Sequence, residues 1–479
     1  MVSPLPVRVP MMTMGWSLVW MLAVIPVRAA PAEPVVPPAP APAEVVVKDV
    51  GDAALSGGAT TIFDITPNAY GRALANLDRA RWTPMLAGKA VFMRNWYDLP
   101  KVVAGPFSNA TGCGSCHFKD GRGRHLRELG TEAPLLMRLS VPSKDAPSGR
   151  HEPSYGGQLQ DRAIPGVVPE GSVEVRYSDV KGTYADGTPY TLRKPRYHLA
   201  KLGYGRLAPK TMLSPRIPAP VFGLGLLEAV PDAAIEALAD AEDRDGDDIS
   251  GRPNRVVSAR DGKTRLGRYG WKANQPTLEQ QVASAFSEDL GMTTTLYPER
   301  NCTPKQAPCK ARPVEVSGPA LPEHQLELTL LYLRLIAPPA RRDVAEPAVV
   351  KGQALFQQVG CAACHHEEFI TGEVLDIPEL SNQRIRPYTD LLLHDMGPEL
   401  ADGRPDGEAS GSEWRTPPLW GLGLLETVNR QVRMLHDGRA RSFEEAILWH
   451  GGEGARARER FKALDATERE ALVAFLRSL

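Results

Sequence analysis

The chain has 479 residues, 42% of them hydrophobic, and its 56 Lys and Arg nearly balance its 57 Asp and Glu. This length suits roughly two to four domains, and the apolar fraction is ordinary for a globular protein, which excludes general disorder. Because the charges balance, no global field attracts nucleic acid or an anionic membrane surface, and we expect no nucleic-acid partner.

The first 29 residues have the pattern of a secretory signal peptide. Arg8 precedes an apolar run from Met11 to Val27, and small residues follow where a signal peptidase cuts. This run is short for a membrane span, so we expect no stable span after cleavage; an uncleaved anchor is the alternative. Residues 30–54, rich in Pro and Ala, are predicted to be a linker. We therefore expect the protein in the periplasm.

Two Cys-x-x-Cys-His motifs carry the chemistry that the sequence predicts, at residues 113–117 and 361–365. In such a motif the two thiols bond the vinyl groups of a c-type haem, and the adjacent imidazole ligates the iron. A redox or zinc-type Cys pair is the alternative, but the His in both copies favours two covalently bound haems. The predicted haem residues are Cys113, Cys116, His117, Cys361, Cys364 and His365.

The two remaining cysteines, Cys302 and Cys309, lie seven residues apart. Because an exported protein meets an oxidising environment, we expect them to form a small disulfide loop.

Secondary-structure patterns differ along the chain. Helices are predicted at residues 85–96, 278–290 and 322–336, and at the C-terminus after a capping box at Thr467. Residues 133–215 are instead rich in Gly, Pro and turns, and two alternating runs around residues 185–187 predict a β-hairpin. We therefore predict a mainly α fold of two tandem cytochrome c-like domains, with a Gly/Pro-rich loop and β-hairpin insertion in the first.

Asp243, Asp245 and Asp247 place carboxylates at alternate positions, as calcium-binding loops do. The spacing is not that of an EF-hand, because Gly is the fourth residue of the loop and Asn254 the twelfth. A calcium site and a metal-free acidic turn both remain open.

The chain also contains an internal repeat. Residues 88–92 and 220–228 match residues 352–356 and 418–426, respectively. A tandem duplication explains the match. Because prolines interrupt the helices between the two copies, we predict a first haem domain over residues 55–340 and a second over residues 341–479.

The repeat predicts different iron coordination in its two halves. When Trp271 is aligned with His436, Ala285 aligns with His450 fourteen residues later. An imidazole can complete six-coordinate iron, whereas a methyl group cannot. We therefore predict that His450 closes the second haem and that the first haem is open to a ligand.

Other side chains are alternatives as ligands. Met396 and the nearby His394 are alternatives to His450 at the second haem. His198 is either a ligand that closes the first haem at rest or a structural residue.

Each half of the repeat has an Arg before a Pro, Arg216 in the first and Arg415 in the second. These residues are either partners of haem propionates or ordinary salt-bridge residues.

Five further runs have a specific family pattern. They are Tyr-Gly-Gly-Gln-Leu at 155–159, Gly-Arg-Tyr-Gly-Trp-Lys-Ala at 267–273, Leu-His-Asp-Met-Gly at 393–397, Trp-Arg-Thr-Pro-Pro at 414–418 and His-Asp-Gly-Arg at 436–439. With these runs the sequence resembles the bacterial di-haem cytochrome c peroxidases and the related enzyme that matures methylamine dehydrogenase. It most closely resembles the branch named di-haem oxidoreductases or thiol oxidoreductases, from Gly57 to Leu479.

The resemblance implies roles for individual residues. Trp271 matches the tryptophan between the two haems, and Gln281 matches the distal-pocket glutamine. A Gly stands where the family's distal acid is expected; of the neighbouring Glu288 and Asp289, we favour Asp289. His450 stands at the position of the second haem's distal ligand, which is usually Met in the peroxidases and Tyr in the maturation enzyme.

The resemblance implies a peroxidase that reduces hydrogen peroxide at the first haem, with electrons relayed through the second haem from a small cytochrome c or cupredoxin. The first domain would be peroxidatic and the second would transfer electrons. The alternatives are a non-enzymatic electron-transfer cytochrome and an oxidase that modifies a docked partner protein through Trp271.

Overall fold

The computed structural model describes residues 51–97, 105–124, 135–146, 148–311 and 318–479. The predicted signal peptide and nearly all of the predicted linker lie outside these residues. Within the described ranges, no helix combines the length and the apolar character that a membrane crossing requires.

Twelve α-helices are formed by the described residues. They are α1 Trp82–Phe92, α2 Cys113–Cys116, α3 Leu224–Glu228, α4 Asp232–Glu236, α5 Leu278–Asp289, α6 Ala307–Lys310, α7 Glu323–Arg334, α8 Pro347–Val359, α9 Leu425–Asn429, α10 Phe443–Leu448, α11 Ala455–Ala463 and α12 Ala466–Ser478.

The strands are mostly short. They are β1 Phe107–Ser108, β2 Leu136–Ser140, β3 Gln158–Leu159, β4 Arg162–Ala163, β5 Ser172–Thr183, β6 Pro189–Ala200, β7 Met212–Arg216, β8 Arg255–Val257, β9 Thr264–Leu266, β10 Phe369–Ile370, β11 Arg384–Ile385, β12 Leu393–Asp395 and β13 Glu413–Arg415. All their pairings are antiparallel: β2 lies between β3 and β7, and the other strands pair in two-stranded ladders.

The prediction of a mainly α fold of cytochrome c-like domains is wrong. The structure is 31% helical and 18% strand, with many small sheets. The segments between the helices are rich in Gly and Pro, which interrupt helices and favour turns. These segments instead form short antiparallel β-ladders, which the hydrophobic periodicity of the sequence does not predict.

The individual helix predictions hold, with shifted ends. The predicted helix at 278–290 is α5, whose N-cap Thr277 accepts a hydrogen bond from the Gln280 amide. The helix predicted at 322–336 is α7, and the helix predicted at 85–96 is α1, which lies about one turn earlier. The C-terminal capping box is formed by Asp465 and Glu468 rather than by Thr467.

The repeated Gly-x-x-x-Phe segment marks the same helix crossing in each half. A Cβ atom on Gly88 of α1 would lie 2.0 Å from the Leu328 carbonyl oxygen of α7. A Cβ atom on Gly352 of α8 would lie 1.9 Å from the Ala471 carbonyl oxygen of α12. Each half is therefore built on a helix pair that approaches too closely for any residue but glycine.

The two halves also meet through reciprocal contacts. Gly223 packs against the ring of Trp420, and Gly421 packs against the ring of Phe222. Both glycines adopt positive φ, at 71° and 70°. A contact in which equivalent residues exchange roles is the pattern of a twofold-related interface.

The predicted β-hairpin is present as β5 and β6, which pair along twelve residues each. It belongs to the first half but contacts the second: the Arg193 amide donates to Glu445 Oε1 at 2.7 Å, and the Tyr197 hydroxyl donates to Asp437 Oδ2 at 2.7 Å. The predicted disulfide between Cys302 and Cys309 is also present.

Candidate active site

The first of two deep cavities surrounds the first Cys-x-x-Cys-His motif. This cavity has a volume of about 250 Å³ and is lined by Cys113, Cys116 and His117 on one side. The α5 helix lines it as well, through Gln281, Ala285 and Asp289 among others. The structure therefore brings the predicted haem residues and the predicted distal residues to one cavity.

The second cavity surrounds the second motif. It has a volume of about 300 Å³ and is lined by Cys361, Cys364 and His365, and also by His450 and Met396. The second cavity thus holds the predicted proximal residue and, with His394, all three candidates for the distal position.

Both proximal histidines are held in one orientation. His117 Nδ1 donates to the Ala219 carbonyl oxygen at 2.8 Å, and His365 Nδ1 donates to the Tyr388 carbonyl oxygen at 3.0 Å. Burial lowers the pKa of each imidazole to about 4. Each ring is therefore neutral with Nε2 as the free nitrogen, which is the tautomer that ligates iron.

The repeated Phe explains part of the sequence match. Phe92 packs against His117 with ring centroids 6.2 Å apart, and Phe356 packs against His365 at 6.3 Å. The same aromatic contact fixes the proximal ring in each half.

His450 is held in the same tautomer and protonation state as the two proximal histidines. Its Nδ1 donates to the Ala446 carbonyl oxygen at 2.8 Å, and burial lowers the pKa of the imidazole. Ser442 caps α10 through its side chain, as Thr277 caps α5, so the alignment of Ala285 with His450 has a matching helix start.

His394 has no nitrogen left for a metal. Its Nε2 hydrogen-bonds Asp390 Oδ2 at 2.7 Å and its Nδ1 hydrogen-bonds Glu453 Oε2 at 2.6 Å. Burial opposes the imidazolium, but the Asp390 carboxylate and these hydrogen bonds raise the pKa of His394 well above its usual value. His394 is therefore a charged structural group.

The first cavity differs in its available ligands. Among the described residues that line it, His117 is the only imidazole and no methionine is present. His198 is exposed on β6 and is not among the residues that line either cavity.

Polar side chains that line the first cavity form a hydrogen-bonded network. Gln158 Nε2 donates to Asp289 Oδ1 at 2.8 Å and to Asn109 Oδ1 at 2.8 Å. Arg138 pairs with Glu288. Desolvation raises the pKa of Asp289 to about 6, against the opposing hydrogen bond from Gln158 and the charge of Arg138. Asp289 is therefore the carboxyl that can exchange a proton near neutral pH, whereas Glu288 is held in an ion pair.

The network depends on the small sheet of the first half. Arg138 on β2 and Gln158 on β3 are cross-strand partners, which places their side chains next to each other. Neither residue was predicted to belong to the site, although Gln158 lies in the Tyr-Gly-Gly-Gln-Leu run.

Trp271 lies between the cavities and lines both. Its indole Nε1 donates to the Ile217 carbonyl oxygen at 2.8 Å, and the side chain is buried. Arg122, Arg415, Pro417 and Pro418 also line both cavities; with Trp271 we call them the partition.

The Asp243, Asp245 and Asp247 carboxylates offer oxygens that all lie within 4.8 Å of one another. Burial and the two neighbouring carboxylates raise the pKa of Asp247. The loop thus gathers the three predicted residues, and Asp247 also lines the second cavity.

The residues present fit two haems. Each cavity combines two thiols with a neutral imidazole whose Nδ1 is already bonded, and the second adds another such imidazole. These groups would hold the porphyrin covalently and ligate its iron.

A family model described as "Di-haem oxidoreductase, putative peroxidase" matches residues 50–479. Among solved structures, the chain is similar to the hydrazine synthase of Kuenenia stuttgartiensis under 20 bar xenon, with 13% identity, coverage of 92% of this chain and 100% of that chain, and a TM-score of 0.34. It is also similar to the diheme peroxidase BthA of Burkholderia thailandensis, with 14% identity, coverage of 88% and 91%, and a TM-score of 0.33. No curated protein matches the sequence.

Proposed function

This chain belongs to the di-haem oxidoreductase family, and on that premise we propose that it is an exported peroxidase that reduces hydrogen peroxide in the first cavity with electrons received through the second. The observation that carries the proposal is the asymmetry of the cavities. The second offers His450 in addition to the proximal His365, each with its Nδ1 bonded to a backbone carbonyl, and it also holds the neutral His436. The described lining of the first offers His117 alone.

Haem, when bound, supplies the redox chemistry that cleaves an O–O bond. His117 would ligate the iron, and the same cavity, lined also by Gln281 and Asp289, would take the peroxide. Asp289 would take a proton from one peroxide oxygen and return it to the other, so that this second oxygen can leave as water. Two electrons and two further protons complete the reduction of one peroxide to two waters.

The remaining residues position this chemistry. Gln158 holds Asp289 Oδ1 by a hydrogen bond of 2.8 Å, so the other carboxyl oxygen is available for proton transfer. Gln281 lines the same cavity from α5 and would orient the peroxide. Trp271 is the aromatic side chain of the partition between the two cavities, and we assign it to electron transfer between them.

The proposal is tested by mixing the reduced protein with hydrogen peroxide in a stopped-flow spectrometer. We expect a high-spin signal from one haem that responds to peroxide and a low-spin signal from the other. Two low-spin haems that ignore peroxide would instead identify an electron-transfer cytochrome.

We further propose covalent attachment and a periplasmic location. Two Cys-x-x-Cys-His motifs and a disulfide, which forms in oxidising compartments, support both. Haem that stays with the denatured polypeptide and appears in the periplasmic fraction is the expected result. The electron donor we propose is a small cytochrome c or cupredoxin, to be identified by its ability to support turnover.

The Asp243, Asp245 and Asp247 loop is our candidate for a calcium site. Elemental analysis of the purified protein should find one calcium per chain, lost when Asp243 and Asp245 are both replaced by Asn. The absence of calcium from the wild-type protein would leave this loop a metal-free acidic turn.

A further inference from the structure

Two arginines of the partition differ from the other arginines around the first cavity. Arg138 pairs with Glu288, Arg216 pairs with Asp406 at 3.0 Å, and Arg268 pairs with Asp232. Among the described residues, no carboxylate forms an ion pair with either Arg122 or Arg415, although both line both cavities.

The hydrogen bonds of these two arginines do not neutralise them. Arg122 Nη1 donates to the Leu435 carbonyl oxygen at 3.1 Å, and its Nε is buried without a partner. Arg415 donates to the Gly270 and Thr416 carbonyl oxygens at 3.0 and 3.1 Å. Carbonyl dipoles satisfy N–H groups without pairing the positive charge, which is unfavourable away from water. The Asp390 carboxylate acts on Arg415 electrostatically but does not form an ion pair with it.

Both arginines contact Trp271, Arg122 through its guanidinium and Arg415 through its backbone. The Arg122 guanidinium carbon is 5.3 Å from the Trp271 ring centroid, and the Arg415 amide donates to the Trp271 carbonyl oxygen at 2.9 Å. Burial lowers the pKa of each arginine to about 10, so both remain charged at neutral pH. The partition therefore presents two positive charges to the two cavities.

We propose that Arg122 and Arg415 form a shared anchor for the propionate carboxylates of both haems. The inference rests on the proposed function for the presence of the haems. A propionate is the anion that a haem carries, and a guanidinium binds a carboxylate with two parallel hydrogen bonds. Arg216 is not part of this anchor, because its charge is already paired with Asp406. Because each arginine faces both cavities, the anchor couples the charge of one haem to the other.

The test is a potentiometric titration of both haems in the purified holoprotein, with Arg122→Leu and Arg415→Leu. Each substitution should lower both midpoint potentials, since an uncompensated propionate stabilises the oxidised haem. Arg122→Lys and Arg415→Lys, which retain the charge, should shift them less. Arg150→Leu is the control for loss of a charge: Arg150 lines neither cavity and pairs with the exposed Asp145 at 3.1 Å. It should leave both haem potentials unchanged.

Redox-difference infrared spectra give an independent readout, because the propionate carboxylate bands should move in the Leu variants and not in the control. Unchanged potentials in both Leu variants with full haem content, or a shift confined to one haem, would overturn the shared anchor. Wild-type potentials that depend on the chloride concentration would also overturn it, since a free anion would then occupy the site. Failure of the peroxidase proposal is seen separately, in the peroxide reactivity of the wild-type protein.

Discussion

Replacing Gln158 by Leu should move the pH dependence of peroxide reduction to higher pH. Asp289 must be ionised to take the first proton, and its pKa is raised to about 6. In the wild-type protein the rate of the peroxide reaction should therefore rise with pH and level off above neutrality. At pH 5 it should be about a tenth of the plateau, because about one carboxyl in ten is ionised one pH unit below its pKa.

Gln158 donates to Asp289 Oδ1 at 2.8 Å and thereby favours the ionised form. A hydrogen bond to a charged group is worth about 1.5–3 kcal/mol, and 1.36 kcal/mol corresponds to one pKa unit. Gln158→Leu should thus raise the midpoint by about 1–2 pH units and leave the plateau rate nearly unchanged.

The assay is the second-order rate of the peroxide reaction, measured by stopped flow from pH 4.5 to 9. Asp289→Asn is the control: it should abolish the ionisation and lower the rate by about 10²–10⁴-fold. If the ionisation persists in Asp289→Asn, or the midpoint stays fixed in Gln158→Leu, Asp289 is not the proton-transfer group.

Three further predictions concern the second haem and the fold. His450→Ala should convert the second haem from low spin to high spin in electron paramagnetic resonance spectra and stop electron delivery to the first haem. If Met396→Ala has this effect and His450→Ala does not, Met396 is the ligand. Lys272→Met should reduce the free energy of unfolding by about 3–5 kcal/mol in urea titrations, because the fully buried Lys272 ammonium pairs with Asp402 at 3.0 Å; a loss below about 1 kcal/mol would mean that the pair adds little. Gly352→Ala should lower the free energy of unfolding by about 1–3 kcal/mol, because the added methyl group forces α8 away from α12. Gln357→Ala, at an exposed position of the same helix, should change it by less than about 0.5 kcal/mol. Equal effects of the two substitutions would contradict the close packing.

The helix and strand content shows what sequence patterns missed. Long amphipathic helices such as α5 and α7 were predictable, because their periodicity lies within one segment. The small sheets were not, since a strand such as β3 has two residues and depends on β2 for its hydrogen bonds. Counting the recognisable helices therefore overestimated the helical character of the whole chain.

The sequence by itself determined the two Cys-x-x-Cys-His motifs, the duplication and the cysteine pair, because each depends on spacing along the chain. It also aligned His450 with Ala285, since both follow a capped helix start at the same interval. Only the tertiary structure placed Gln158 on Asp289, 131 residues away, and brought both Arg122 and Arg415 to the partition between the two cavities. These positions depend on which surfaces of the chain pack together, and no local sequence pattern predicts that packing.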